Sequence, residues 1–166
     1  MSSGSVYGTP DTWTNTPASM RAIPQWGVWG YSAEGQKWPR DLQTGRRPVD
    51  AHSDSSVTTF EDAVQRAVAL RLGLYFDLRD TDPFTGVDLD DSVDGGVVHP
   101  AALEVVQGLG GYCEVSPSGT GLKVTLEGSI PKAVPANAGV VGPWGGGLEI
   151  YDRGRFWAVT GRVIAL

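Results

Sequence analysis

The chain has 166 residues, 40% of them hydrophobic and 19% charged, which suits one domain with a core of its own and excludes a disordered chain. The net charge of −6 argues against non-specific nucleic-acid binding by the surface as a whole. One cysteine and two histidines exclude an intrachain disulfide, a thiolate-rich zinc site and a His-rich metal site. No charged leader precedes an apolar run, and no apolar run reaches membrane-spanning length, so a soluble intracellular protein without membrane contact is expected.

Residues 1–20 are rich in Ser, Thr, Gly and Pro without periodicity and read as a flexible or loosely docked leader. The remainder, 21–166, reads as one domain. A strand over Gln25 to Gly30 and the segment KWPRD form an expected hairpin, followed by a long loop with the basic pair Arg46 and Arg47. Thr58 and Glu61 have capping-box spacing, and Phe60, Ala63, Val64, Ala67 and Val68 make one apolar helical face ending near Arg71 to Gly73. GLYFDL and GVDLD read as strands around the turn DTDPFT. Pro100 opens a second helix, with Leu103, Val106 and Leu109 inward and His99 at its start. YCEVS, LKVTLEG and GGGLEIYD read as further strands, and RFWAVTGRVI closes the expected sheet. Its apolar side carries Leu122, Val124, Leu126, Leu148 and Ile150. The fold class expected is α+β.

The polar anchors fall on these strands and turns. Between Asp77 and Asp94 seven aspartates face one arginine, so this segment alone carries the net charge of the chain. Within it Asp88 and Asp90 are two apart, and a strand turns such residues to one face. Two carboxylates on one point repel unless a cation or shared proton offsets them. Glu149 lies on another strand. Three carboxylates supply the hard oxygens that Mg²⁺ or Mn²⁺ takes in phosphoryl transfer. The turn Ser116-Pro117-Ser118-Gly119-Thr120-Gly121 offers hydroxyls and N–H groups to phosphate, and Lys123 a compact positive charge. Each part has a plainer reading: a solvated acidic face, an ordinary turn, a basic loop. Trp26 and Trp29 are expected in the core, Trp144 packs a loop or stacks on a base, and Cys113 is an inert core residue. Lys37 and Arg40 are placed at a cleft rim.

In their order and wording these pieces resemble the archaeo-eukaryotic primase superfamily, specifically the primase-polymerase (prim-pol) catalytic domains of phages and plasmids. The resemblance runs from QWGVW and KWPRDLQTGRRP through TTFEDAV, VDLDD and YCEVSPSGTGLKVTLEG to LEIYDRGRFWAVTG, roughly residues 23–162. It implies a core with a sheet like that of an RNA-recognition motif (RRM-like), joined to a smaller N-terminal α/β unit. It implies template-directed nucleotidyl transfer, as DNA primase or DNA polymerase, from nucleoside triphosphates with Mg²⁺ or Mn²⁺. Asp88, Asp90 and Glu149 match the family's metal-binding acids. Ser116, Ser118, Gly119, Thr120, Gly121 and Lys123 match its phosphate-binding motif, with Arg155 at the nucleotide. Lys37, Arg46, Arg47 and Arg153 lie where basic residues meet DNA. The implied partners are DNA template and primer, with a helicase or helical priming domain in the full-length protein and a monomeric catalytic unit.

One position departs from the pattern. The family motif ends in histidine where this chain has Lys123. Lysine keeps the charge and loses the directional imidazole. A catalytically weakened nucleotide- or DNA-binding replication domain is therefore the alternative. A metal-dependent nuclease ranks below it, because no histidine or lysine base has nuclease-motif spacing.

Overall fold

The computed structural model describes residues 6–128 and 138–164. Its helices are α1 (Pro10–Trp13), α2 (Ala18–Arg21), α3 (Phe60–Leu70) and α4 (Pro100–Leu109). Its strands are β1 (Trp26–Tyr31), β2 (Lys37–Arg40), β3 (Gly73–Leu78), β4 (Phe84–Leu89), β5 (Val93–Asp94), β6 (Val97–Val98), β7 (Tyr112–Val115), β8 (Leu122–Glu127), β9 (Ala138–Val141), β10 (Gly147–Tyr151) and β11 (Arg155–Val159). The α+β class is as the sequence predicts.

The strands form two larger antiparallel sheets. One has the order β11-β3-β1-β2 and the other β7-β8-β4-β10-β9; β5 and β6 form a separate hairpin. The expectation that RFWAVTGRVI closes the sheet containing LEIYD is therefore corrected. β11 leaves that sheet and pairs with β3 in the other, matching Trp157 to Phe76. Alternation fixes the faces of a strand but not the sheet it joins. Beyond β11 the chain returns to the edge of the second sheet, where the Val115 N–H donates to the Arg162 carbonyl at 2.9 Å.

α3 is capped by Thr59, one residue later than the predicted cap, with the Thr59 hydroxyl accepting from the Asp62 N–H. It ends at Arg71 in the left-handed conformation. Phe60, Ala63 and Ala67 pack with Trp26, Val28, Leu74 and Phe76 of the first sheet, while Val68 is 53% exposed. α4 turns Ala102 and Val106 onto Val87, Leu89, Leu122, Val124 and Cys113, so Leu103 is not among its buried residues and Leu109 faces out. His99 caps α4, its side chain accepting from the Ala101 N–H. In the β5–β6 hairpin Gly95 and Gly96 both take positive φ, which a tight two-residue turn requires.

The leader is not loosely docked over its described part. Trp13 and Met20 are buried in the core of the first sheet. The Thr12 hydroxyl donates to the Thr160 carbonyl at 2.7 Å, and the Asn15 amide to the Gly161 carbonyl at 3.0 Å. Two large apolar side chains outweigh the turn-rich composition around them, because their burial orders the intervening polar residues. Residues 1–5 lie outside the described residues.

Candidate active site

The second sheet brings the predicted anchors into one row. β4 is its central strand, with β8 on one side and β10 on the other. Asp88 pairs with Lys123 across β4–β8 and with Glu149 across β4–β10. Glu114 of β7 pairs with Lys123 on its other side. Directly opposed residues share a face, so Glu114, Lys123, Asp88 and Glu149 form a line across four strands. The opposite face carries Val87, Leu89, Val124 and Cys113 against α4. Burial there raises the Cys113 thiol to about 12, consistent with the inert role expected of it.

β4 ends at Leu89, so Asp90 is the first residue of a turn, not the last of a strand. Its N–H donates to the Gly147 carbonyl at 2.8 Å, and its own carbonyl accepts from the Trp144 indole at 2.7 Å. Both contacts hold it beside β10. Partial desolvation, then repulsion from Asp88 and Glu149, raise the Asp90 carboxyl. Trp144 thus anchors the loop to Asp90 and packs on the α4 side of the sheet. Glu149 accepts a short hydrogen bond from the Tyr151 hydroxyl.

Lys123 is turned to Asp88 and to the Trp157 ring. Its side chain is only 6% exposed and its ammonium lies 3.8 Å from an Asp88 carboxylate oxygen. The Trp157 ring centre is 3.4 Å from the same nitrogen. Trp157 comes from the other sheet and rests on Gly86, where a Cβ would lie 2.9 Å from its ring. Lys123 is covered from above by an indole that spacing along the chain does not reveal.

The turn 116–121 abuts Asp90. The Ser116 hydroxyl accepts from the Gly121 N–H at 3.1 Å, closing the loop, and Gly119 takes φ +79°. A Cβ on Gly121 would stand 3.0 Å from the Leu89 carbonyl oxygen, so this position keeps the turn against the end of β4. Ser116 is buried, while Ser118 and Thr120 are exposed with their hydroxyls 2.9 Å apart. Of the turn's three hydroxyls, those two face solvent.

The basic residues divide. Arg155 lies 4.5 Å over the Tyr151 ring, next to Glu149's hydrogen-bond partner. Lys37, on β2 of the other sheet, is exposed and interacts electrostatically with Lys123, Asp88, Arg155 and Asp90. Arg153 instead pairs with Asp152 at 2.7 Å and lines a separate cavity with His52 and Arg79. Arg47 pairs with Asp41 at 3.4 Å, on a cavity of about 760 Å³ whose lining includes none of the three predicted acids. Arg46 is exposed in the same loop. Lys37 and Arg155 come to the row; Arg46, Arg47 and Arg153 do not. Arg40 extends to the Tyr31 carbonyl at 2.8 Å.

Among the described residues, no three His, Cys, Asp or Glu side chains are drawn together closely enough to hold a metal ion. Asp88 is engaged by Lys123 and Glu149 by Tyr151. The donor set nonetheless suits a hard divalent cation, being three carboxylates with no sulfur or imidazole. There is also room: a Cβ on Gly147 would lie 3.4 Å from an Asp90 carboxylate oxygen, and one on Gly139 would lie 3.6 Å from the Glu149 side chain. Glycine at both positions leaves the space beside the carboxylates free of side chains.

The sequence reading missed Glu114, Tyr151 and Trp157. Glu114 is fully buried and accepts from the Thr160 and Gly161 N–H groups at 2.8 and 2.9 Å and from the Tyr112 hydroxyl at 2.8 Å. Its place two residues before Ser116, on the same strand face as the other charged residues, was the available signal. A second buried network, Asp77 with His52 at 2.5 Å and Arg79 at 2.6 Å, lies on the first sheet.

No protein-family model matches the chain. A DNA primase-polymerase of Nitratiruptor phage NrS-1 is 36% identical to it over 93 residues. That stretch is 55% of this chain and 13% of the phage protein, so the chain spans a small part of its relative's length. The similarity is to a phage-type primase-polymerase, the group whose motifs the sequence resembles.

Proposed function

We propose, from its similarity to a phage-type primase-polymerase, that this chain carries out template-directed nucleotidyl transfer on DNA with nucleoside triphosphates. One observation carries the reading: the sheet register sets Asp88 opposite Glu149 and packs the 116–121 turn against the end of the strand that bears Asp88. Acidic groups and a phosphate-suited turn are thereby neighbours in space, although Asp88 and Glu149 lie far apart along the chain.

In this reading Asp88, Asp90 and Glu149 hold Mg²⁺ or Mn²⁺, which when bound offsets the charge of the reacting phosphates. Asp88 and Glu149 must turn from Lys123 and Tyr151 to do so. The exposed hydroxyls of Ser118 and Thr120 face the triphosphate, and Arg155 and Lys37 supply positive charge from the other sheet. The primer 3′-oxygen attacks the α-phosphorus, the bond to the bridging oxygen breaks, and pyrophosphate leaves. Positioning and electrostatic stabilisation supply the rate. DNA primer and template are the macromolecular partners, and Arg46 and Arg47 remain candidates for DNA backbone contact away from the row.

A second reading has its own observation. Lys123 replaces the family's histidine and is enclosed, which favours a nucleotide- or DNA-binding domain with weakened catalysis. Incorporation of labelled nucleotide on a primed template with Mn²⁺ separates the two. Extension that disappears in Asp88→Ala/Asp90→Ala supports the first. Triphosphate or DNA binding without extension supports the second, and shortening of the strand without nucleotide would indicate a nuclease.

A further inference from the structure

The row has an internal charge order. Glu114, Lys123, Asp88 and Glu149 are successive direct neighbours across four strands. Like charges directly opposite destabilise a sheet, and Asp88 and Glu149 are such a pair. Asp90 adds a third carboxylate at the end of β4. The positive member is built in deeply. Its side chain is 6% exposed, its nitrogen is 3.8 Å from Asp88, and the Trp157 indole closes over it at 3.4 Å. Trp157 is itself fixed by its indole N–H donating to the Thr125 hydroxyl at 3.2 Å and by the absence of a side chain at Gly86. Glu114 already has three hydrogen-bond donors of its own. Lys123 is thus the cation that the sheet directs at Asp88.

We infer that Lys123 is a resident counter-ion: caged by Trp157, its ammonium neutralises Asp88 in the metal-free protein and competes with a divalent cation for that carboxylate. This differs from a contact to the triphosphate, which its enclosure opposes. Lys123 is a positioning residue in this scheme, setting the orientation and availability of Asp88. The counter-ion part stands on geometry alone; the competition with a cation rests on the proposed function. An ammonium near a metal site lowers its affinity through charge repulsion, and its removal strengthens cation binding unless solvent screens it fully.

The test uses the full chain as wild type, Lys123→Met and Asp88→Asn/Lys123→Met. Methionine keeps an unbranched side chain beneath the indole without the charge. Thermal midpoints are measured in EDTA, and Mn²⁺ affinity is measured from the electron paramagnetic resonance signal of free Mn²⁺. The expected result is a lower midpoint for Lys123→Met in EDTA, recovery of that midpoint in Asp88→Asn/Lys123→Met, and Mn²⁺ binding by Lys123→Met about tenfold tighter than by wild type. If Lys123→Met does not fold while the double variant does, the counter-ion role is supported. If the double variant is as unstable as the single, or if Lys123→Met binds Mn²⁺ no more tightly than wild type, the inference is overturned. A wild-type protein that fails to extend a primer, yet shows these midpoints and affinities, overturns the proposed function and leaves the inference standing.

Discussion

Gly86 of β4 lies directly under the indole of Trp157 from β11, so the two sheets meet where one of them has no side chain. The contact joins the strand that carries Asp88 to the strand that carries Arg155. A Cβ at position 86 would lie 2.9 Å from two ring atoms and 3.0 Å from a third. Gly86→Ala should therefore cost about 1–3 kcal/mol, the usual range for overpacking a filled core. Chemical denaturation would measure it, and wild-type stability in this variant would show that the indole moves freely.

Tyr151 ties the third acid to the sheet. Its hydroxyl donates to Glu149, and its ring packs beneath Arg155. Tyr151→Phe keeps the ring and removes one hydrogen bond, with an expected stability change of about 1 kcal/mol. Under the proposed function it should raise kcat for primer extension with little change in KM for nucleotide, because Glu149 must leave Tyr151 to reach the cation and the exposed turn is unaltered. An unchanged kcat would exclude a positioning role for Tyr151.

Trp13 sets the docking of the segment that composition marks as a leader. It is 2% exposed and its indole donates to the Tyr7 carbonyl at 2.9 Å. Trp13→Ala should destabilise the protein by about 3–5 kcal/mol, as for other large-to-small core changes. A flexible leader would give no change in the urea midpoint.

Asp77 is fully buried and bound by His52 and Arg79. Among the described residues, Asp77→Ala leaves the Arg79 guanidinium with the exposed Asp54 carboxylate as ion-pair partner, 2.8 Å away. The expected loss is about 3 kcal/mol, the lower end for breaking a buried ion pair. Primer extension measured well below the new melting temperature should persist, since this network belongs to the first sheet and the carboxylate row to the second.

Cys113 supplies a pH test with a definite sign. Burial raises its thiol from the ordinary value of 9.0 to about 12 in the folded protein. The folded state therefore holds this proton more tightly than the unfolded chain. The contribution to stability is complete below pH about 9 and declines as pH rises toward about 12. Cys113→Ala should lessen the decline in stability over that window. Native protein at pH about 8 should resist alkylation that goes to completion in denaturant, because the thiolate is the reactive form. Rapid labelling of the native thiol would contradict both expectations.

Much of the local structure is legible in the sequence because it depends on neighbours a few residues away. The alternation in VDLD and LKVTLE put the apolar side chains of β4 and β8 on one face. The Ser/Gly run gave a turn, and Pro100 opened α4 with His99 at its cap. The family resemblance, rather than spacing, grouped Asp88, Asp90 and Glu149 as expected metal-binding acids. Tertiary structure alone decided that β4 lies between β8 and β10, which makes Asp88 a direct neighbour of both Lys123 and Glu149. It also sent β11 to the other sheet, and with it the Trp157 ring that encloses Lys123. The physical reason is that strand pairing and desolvation depend on surfaces brought together from distant parts of the chain. A lysine two residues from a phosphate-suited turn reads as a surface charge until a tryptophan from another sheet covers it.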